Sequence, residues 1–448
     1  MTSAGGELQL ASVGGVTAPR VIAAGVLADL RAGEMLESTF DRRTAGLDAR
    51  DRRWLRELIY GVLRQRSTLD AILSERVRSG LARIDPDLLE LMRLGVYQLL
   101  HMGSVPAYAA IAQTVELAKV RHGIGASKLM NAVLRRVDRE SAELTVPLPE
   151  GKVAGLAVKY SHPEWIVSRW LSRWDEEATE VLMMKNNAEA PVVIRPYGIV
   201  REQLEAMLES AGAAVEDAPL ACDSMVITGG ISLTDLGAFN QGLFFVQDPG
   251  STLVTQYAAI PAGSVVAELC AAPGGKSLEL TRSARAVIAV DRSVERLGRL
   301  IANRDRLEAA NLFIAAGDAR FPTVKNMDAV LIDVPCTGTG TFRRHPDARW
   351  RLKVSDLSVM SALQSSIIDA AAGAVKPGGL LIYSTCSLEP EENEQQVARF
   401  LALNPGWTLE APPAGAVPPE TLDGGCLRVL PQVHGTDGAF AARLRRNQ

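Results

Sequence analysis

The fold of the C-terminal half turns on one stretch, Val265-Val266-Ala267-Glu268-Leu269-Cys270-Ala271-Ala272-Pro273-Gly274-Gly275-Lys276-Ser277. It opens as a short apolar run, breaks at a Pro-Gly-Gly turn and continues into residues that suit the start of a helix. Working outward, further apolar runs lie at 286–290, 312–315, 329–333 and 380–384, separated by helical stretches at 293–309 and 355–375. Short apolar strands alternating with helices predict a mostly parallel sheet covered on both faces, an α/β Rossmann-like domain over residues 241–448.

Ligands of such sheets bind at the carboxyl ends of strands, near the point where strand order reverses. There the first strand runs into Cys270, Ala271, Ala272, Pro273, Gly274, Gly275 and Lys276, where two adjacent glycines let the backbone approach a ligand closely. Asp291 ends the next strand, sixteen residues after Gly275, near the spacing at which an acid takes both hydroxyls of a ribose, and Arg292 follows it. Asp318, after the third strand, is placed to accept a hydrogen bond from an adenine amine. Gly275-Lys276-Ser277 mimics the end of a triphosphate loop, but the glycine required five positions before Gly275 is Cys270, and no GxGxxG is present. What remains is a nucleoside cofactor without a pyrophosphate, and S-adenosylmethionine has that form. One acid alone would read as a surface turn residue; acids at successive strand ends argue for a site.

Two thiols stand at two further strand ends. Asp333-Val334-Pro335-Cys336 places an acid and a thiol past the fourth strand, and Ser384-Thr385-Cys386-Ser387 places a thiol past the fifth. A single such cysteine is most often an inert core residue. Two beside an acid, in loops at neighbouring strand ends, point to chemistry. Carbon 5 of cytosine is too weak a nucleophile to attack a sulfonium methyl until a thiolate adds to carbon 6. A carboxyl on the ring nitrogen would stabilise the charge that builds up, and a base must then remove the carbon-5 proton. The attacking thiol needs local positive potential, and the target base must be unstacked to reach it.

The chain of 448 residues suits about three domains rather than one. Lys plus Arg number 48 against 52 Asp plus Glu, so any nucleic-acid surface must be local. The five cysteines, at 222, 270, 336, 386 and 426, form no CxxC pair, which predicts neither zinc nor disulfides and fits a reducing compartment. The N-terminus lacks the basic start and apolar core of a signal peptide, and no apolar run reaches the roughly 18 residues of a membrane span. A cytoplasmic protein without membrane or metal is expected. With no heptad pattern or exposed apolar helix demanding a partner, it is expected to be a monomer.

Residues 1–18 are small and Gly-rich and read as a tail. Residues 19–142 carry helical spacing throughout, including Trp54, Leu55, Leu58, Ile59 and Leu63, and Asp85-Pro86 marks a helix start. A Pro- and Gly-containing linker is expected over 143–160, then a small α+β domain over 161–240 whose tryptophans, Trp165, Trp170 and Trp174, belong to its core rather than to a base-stacking surface. Eleven arginines against five acids between Arg42 and Arg83, among them Arg52 and Arg53, form either a phosphate-binding face or a solvated, ion-paired one. Arg343, Arg344 and Arg349, with Trp350 among them, form a second basic stretch with an aromatic available for stacking.

The stretches FFVQDPGS (244–251), ELCAAPGGKS (268–277), IDVPCTGTG (332–340), RRHPDARW (343–350), YSTCSLEPEENE (383–394) and HGTDGAFAARL (434–444) are ordered and spaced so that the C-terminal half resembles the Nol/Nop/Sun family of RNA cytosine-5 methyltransferases. The helical N-terminal region, ending KLMNAVLRRV (128–137), is similar to a NusB-type RNA-binding domain. The resemblance implies S-adenosylmethionine as cofactor. It makes Cys386 the nucleophile on carbon 6, has Cys336 assist proton removal and release, and puts Asp333 on the cytosine edge. Cys270 to Lys276 would wrap the methionine part, with Lys276 orienting polar groups, Asp291 on ribose and Asp318 near adenine. The chain departs from the pattern at Thr337-Gly338, where this subfamily often has Ser-Ala; both pairs are small. DNA cytosine methyltransferases use the Pro-Cys thiol for attack, so the order of the two thiols stays open on sequence alone, with the second cysteine favouring the RNA class. A NusB-like domain implies ribosomal RNA of the small subunit as partner. Transfer RNA, or a non-catalytic role in ribosome assembly, are the alternatives.

Overall fold

The computed structural model describes residues 15–220 and 223–448, so Cys222 and the first fourteen positions of the expected tail lie outside the described residues. The described chain falls into two compact units. One comprises the residues up to Asn187 together with His345–Arg351, and the other Ala188–Arg344 with Leu352–Gln448.

The first unit is all-helical. Helices Ala18–Arg31, Leu36–Thr44, Ala49–Arg64, Arg66–Ser74, Pro86–His101 and Ala107–Glu140 surround a core that includes Leu55, Leu58, Ile59, Leu91, Met130 and Leu134. The start read at Asp85-Pro86 is a capped one, since the Asp85 carboxylate accepts from the amides of Asp87 and Leu88. The longest helix is broken at Gly123, whose φ of 84° and ψ of −175° are not helical. The tail expectation fails from its fifteenth residue on: Val16 is fully buried, and the Thr17 amide donates to Gln113 Oε1 at 2.7 Å. The expected linker also contains a helix, Lys152–Lys159, which buries Leu156 and Ala157 while Thr68 Oγ1 donates to the Val158 carbonyl at 2.9 Å. Helices Glu164–Arg173 and Glu176–Asn187 belong to this unit and not to the small domain expected over 161–240; Trp170 is buried here, while Trp165 and Trp174 are only partly buried.

The second unit holds two sheets. The smaller is antiparallel, with the order Ala214–Asp217, Met225–Thr228, Val192–Pro196, Phe244–Val246, and it packs Ile194 and Met225 against Leu204 and Leu208 of helix Arg201–Ser210. Its last strand comes from past residue 240, beyond the expected end of the small domain. The larger sheet has nine strands among the described residues. Its parallel part runs Val375–Thr385, Met327–Asp333, Val265–Leu269, Ala286–Asp291, Leu312–Ala316. The chain leaves the central strand Val265–Leu269 toward one edge, then returns to its other side at Met327–Asp333. Strand order therefore reverses beside Leu269, and the expected Rossmann-like domain is present. Strand Ala439–Arg446 adds antiparallel to Val375–Thr385 and carries Trp407–Leu409 and Cys426–Val429 with it.

Candidate active site

The glycine turn begins where the central strand ends. The Ala271 amide donates to the Val290 carbonyl at 3.0 Å, and the Asp291 carboxylate accepts from the amides of Ala272 at 2.9 Å and Ser293 at 2.8 Å. Asp291 thus ties two strand ends into one edge. Gly274 has a φ of 105°, and a Cβ there would lie 2.0 Å from Leu300 Cδ1, so neither the backbone nor the packing admits a side chain. Helix Gly275–Thr281 starts at once and turns Lys276 inward, where its Nζ meets Asp333 Oδ2 at 2.7 Å. Burial opposes the charge on Lys276, yet the Asp333 carboxylate, with smaller help from Glu268 and the Cys386 sulfur, holds its pKa above the usual lysine value. Asp318 is held down to about 2, chiefly by its hydrogen bonds with Arg320. Arg292, expected on this edge, is exposed, whereas Arg296 reaches the Ala272 carbonyl.

Asp333 is paired with Lys276 and Asp318 with Arg320, while the Asp291 carboxylate is held by backbone amides alone among the hydrogen bonds described. Carboxylates at successive strand ends beside a glycine turn suit a nucleoside cofactor, with an acid for the ribose hydroxyls. The residues present fit S-adenosylmethionine on that ground.

Registers Ile332↔Tyr383 and Asp333↔Ser384 make the two cysteine-bearing strands direct neighbours. The Sγ atoms of Cys336 and Cys386 lie 3.4 Å apart, and Ser384 Oγ donates to Asp333 Oδ1 at 2.9 Å. The contact with Cys386 comes first among the effects that raise the Cys336 thiol well above its ordinary pKa; burial and the Glu392 carboxylate add to it. Cys386 instead shares its surroundings with the Lys276 ammonium. Burial pushes Cys270 up to about 12 and Cys426 up to about 11.

Two carboxylates that sequence reasoning passed over are buried at this site. Glu268, 1% exposed on the central strand, accepts from Ser277 Oγ, and burial raises it to about 8. Glu392, fully buried, accepts from Thr337, Ser387 and Gln364. The signal for Glu268 was an ionisable residue inside an apolar strand run; the signal for Glu392 was only its place within EPEENE.

The phosphate-binding expectation is corrected at two arginines. Arg349 is 0% exposed and belongs to the first unit, where it donates to the carbonyls of Ser161 at 3.2 Å and Asn186 at 2.9 Å and to Asn187 Oδ1 at 2.7 Å. Arg344 is spent on Asp248 at 2.7 Å and Asp437 at 2.6 Å. Arg343, half-buried, donates to the carbonyls of Glu189 and Gly435. Trp350 is no stacking platform either: its indole donates to the Leu63 carbonyl at 2.7 Å, and Arg66 covers the ring. Arg52 and Arg53 remain on the surface of the helical unit, with Arg52 paired to Asp41.

A Rossmann-like sheet whose carboxyl edge carries acids and a glycine turn defines a protein that binds a nucleoside cofactor. The chain matches the family described as 16S rRNA methyltransferase RsmB/F over residues 259–445, the NusB family over 17–139, and a RsmF/B-like ferredoxin-like domain over 162–234. It is 34% identical over 412 residues to a probable ribosomal RNA small subunit methyltransferase B of Synechocystis, covering 88% of this chain and 91% of that one. To the ribosomal RNA small subunit methyltransferase B of Klebsiella pneumoniae it is 33% identical over 426 residues, 93% of this chain and 95% of that one. The crystal structure of PH0851 superposes with a TM-score of 0.79 at 26% identity, covering 96% of this chain and 99% of that one. The chain belongs to the ribosomal RNA small subunit methyltransferase B family.

Proposed function

We propose that this chain methylates carbon 5 of a cytosine in small-subunit (16S) ribosomal RNA, with S-adenosylmethionine as cofactor and a transient covalent bond between Cys386 and the base. The observation that carries the chemistry is the contact of two thiols beside the Lys276–Asp333 pair. When bound, the cofactor supplies an electrophilic methyl group on a sulfonium. This chain's residues make the base able to accept it. Cys386, as the thiolate, adds to carbon 6, and the electron pair of the 5,6 double bond moves toward carbon 5. Asp333, fixed by Lys276 and Ser384, accepts from the exocyclic amine and holds the cytosine edge in place. The carbon-5 proton passes to a water at the Cys336 side of the base, with Cys336, its sulfur in contact with Cys386, assisting that removal. The pair left behind re-forms the double bond and expels Cys386.

The substrate class rests on family membership and on the NusB-like helical unit. The deciding experiment is labelled-methyl transfer from S-adenosylmethionine to an unmodified small-subunit ribosomal RNA transcript, with the product mapped by bisulfite sequencing. A single protected cytosine is expected. Label on transfer RNA alone overturns the substrate. Absence of cofactor binding and of incorporation on any RNA or particle overturns the enzyme reading and favours an assembly factor.

A further inference from the structure

Glu392 lies 56 residues beyond Cys336 in sequence and is fully buried between the two cysteine loops. Its Oε1 accepts from the Thr337 amide at 2.9 Å and from Gln364 Nε2 at 2.9 Å, and the same Gln364 amide donates to the Pro335 carbonyl at 2.9 Å. Its Oε2 accepts from the hydroxyls of Thr337 and Ser387. Its backbone carbonyl accepts from Tyr383, and the neighbouring Asn393 takes Thr385 Oγ1 and donates to the Ser387 carbonyl at 2.8 Å. One carboxylate therefore holds the residue after Cys336 and the residue after Cys386 at the same time. A buried charge is costly unless fully hydrogen-bonded, and this one is saturated by donors from both loops.

We infer that Glu392 is the positioning residue of this active site, a tether that joins the Pro-Cys loop to the Ser-Thr-Cys-Ser loop and holds the two sulfurs in contact. Neither loop is held to this spacing by regular structure. The two strands pair only as far as Asp333 and Ser384, so the thiols stand beyond the end of the ladder. The loops also meet directly, the Gly340 amide donating to the Cys386 carbonyl at 3.0 Å and the Leu388 amide to Thr339 Oγ1 at 2.8 Å, but both contacts lie past Thr337. Without the carboxylate, Thr337, Ser387 and Gln364 lose their common acceptor and the residue after Cys336 is released from the residue after Cys386.

The inference deepens the proposed reaction and rests on it for its activity arm, but thiol spacing is read without any methylation. The probe is phenylarsine oxide: one arsenic forms two bonds to sulfur, and its oxygen leaves as water with both thiol protons. Intact mass and free-thiol titration then count bridged chains, with Cys336→Ser as the control that removes bridging. Glu392→Gln should keep half-saturation within about threefold of wild type, because its amide can donate to the Thr337 and Ser387 hydroxyls once these reverse as acceptors. Glu392→Ala should weaken bridging at least about tenfold and lower kcat for methyl transfer, with KM for the cofactor within about twofold. If Glu392→Ala is unfolded at the assay temperature, Ser387→Ala, which removes only one tether, should weaken bridging about threefold. Wild-type bridging in a folded Glu392→Ala, or in Ser387→Ala when that variant carries the test, overturns the tether. So does loss of bridging in Glu392→Gln equal to that of the alanine variant. If wild type methylates no RNA yet bridging follows the expected order, the reaction falls and the tether stands.

Discussion

The sulfur of Cys336 lies 3.4 Å from the sulfur of Cys386, fifty residues on, because their strands are adjacent and parallel and both loops turn toward the same edge. The two surroundings differ: Cys336 faces Glu392, and Cys386 shares its space with Lys276. Cys386→Ala is therefore expected to abolish methyl transfer, whereas Cys336→Ala still attacks and accumulates a covalent RNA adduct. Denaturing electrophoresis with labelled RNA reads both. An adduct from Cys386→Ala but none from Cys336→Ala would reverse the roles.

Asp333 is the sole carboxylate hydrogen-bonded to the Lys276 ammonium among the described residues, and that lysine side chain is 11% exposed. Asp333→Asn leaves a nearly buried cation without its counter-charge. Because Asp333 itself is 34% exposed, the cost should fall between the exposed and buried limits, about 2–3 kcal/mol at neutral pH. Chemical denaturation measures this loss, and kcat should drop about a hundredfold or more. An unchanged kcat would remove Asp333 from the reaction.

Burial raises Glu268 to about 8 in the folded protein, against an ordinary value of 4.5. The folded state keeps a proton that the unfolded chain releases between those values. The stability contributed by this group is thus complete below pH 4.5 and is lost as pH climbs through about 8. Glu268→Gln, which stays neutral, should flatten the fall of melting temperature from about pH 5 to about pH 9 relative to wild type. Parallel calorimetric scans of the two proteins test this, and coincident slopes would show that Glu268 ionises without penalty.

Arg349 and Arg52 should separate structure from RNA binding. Arg349→Ala strands the Ser161 and Asn186 carbonyls inside the helical unit and should cost about 3 kcal/mol, seen as a lowered melting temperature. Arg52→Glu with Arg53→Glu breaks the exposed Asp41 pair and should lower stability by about 1 kcal/mol, leaving the protein folded. The same pair should weaken RNA binding and reduce the slope of log affinity against log salt by about one to two. A salt slope unchanged by the double reversal would move the RNA face elsewhere on the protein.

Much of the catalytic unit was legible in one dimension because its chemistry is local. The parallel strands announce themselves as apolar runs, since both faces of such a sheet are covered. Asp291, Asp333 and the two cysteines each sit at or within three residues of a strand end, and the Gly274-Gly275 turn follows its strand by five and six. The C-terminal strands Cys426–Val429 and Ala439–Arg446 were missed as strands. Helix Lys152–Lys159 was missed too, because eight residues after a Gly-rich turn offer barely two turns of periodicity.

The amino-acid order by itself determined the strand-helix alternation, the cofactor edge and the cysteines at two strand ends, because hydrophobic period and turn chemistry act over a few residues. Only the tertiary structure decided which charged groups are spent inside. Arg344 and Arg349 look like phosphate ligands in the sequence, yet Asp437, Asp248, Ser161 and Asn187 reach them from far along the chain. The acid that ties the two thiols together is likewise invisible in one dimension, because Thr337, Gln364 and Ser387 converge on Glu392 only once strand and helix have packed. Burial and long-range hydrogen bonding are properties of the fold, and they set the charge state and position of each group at the site.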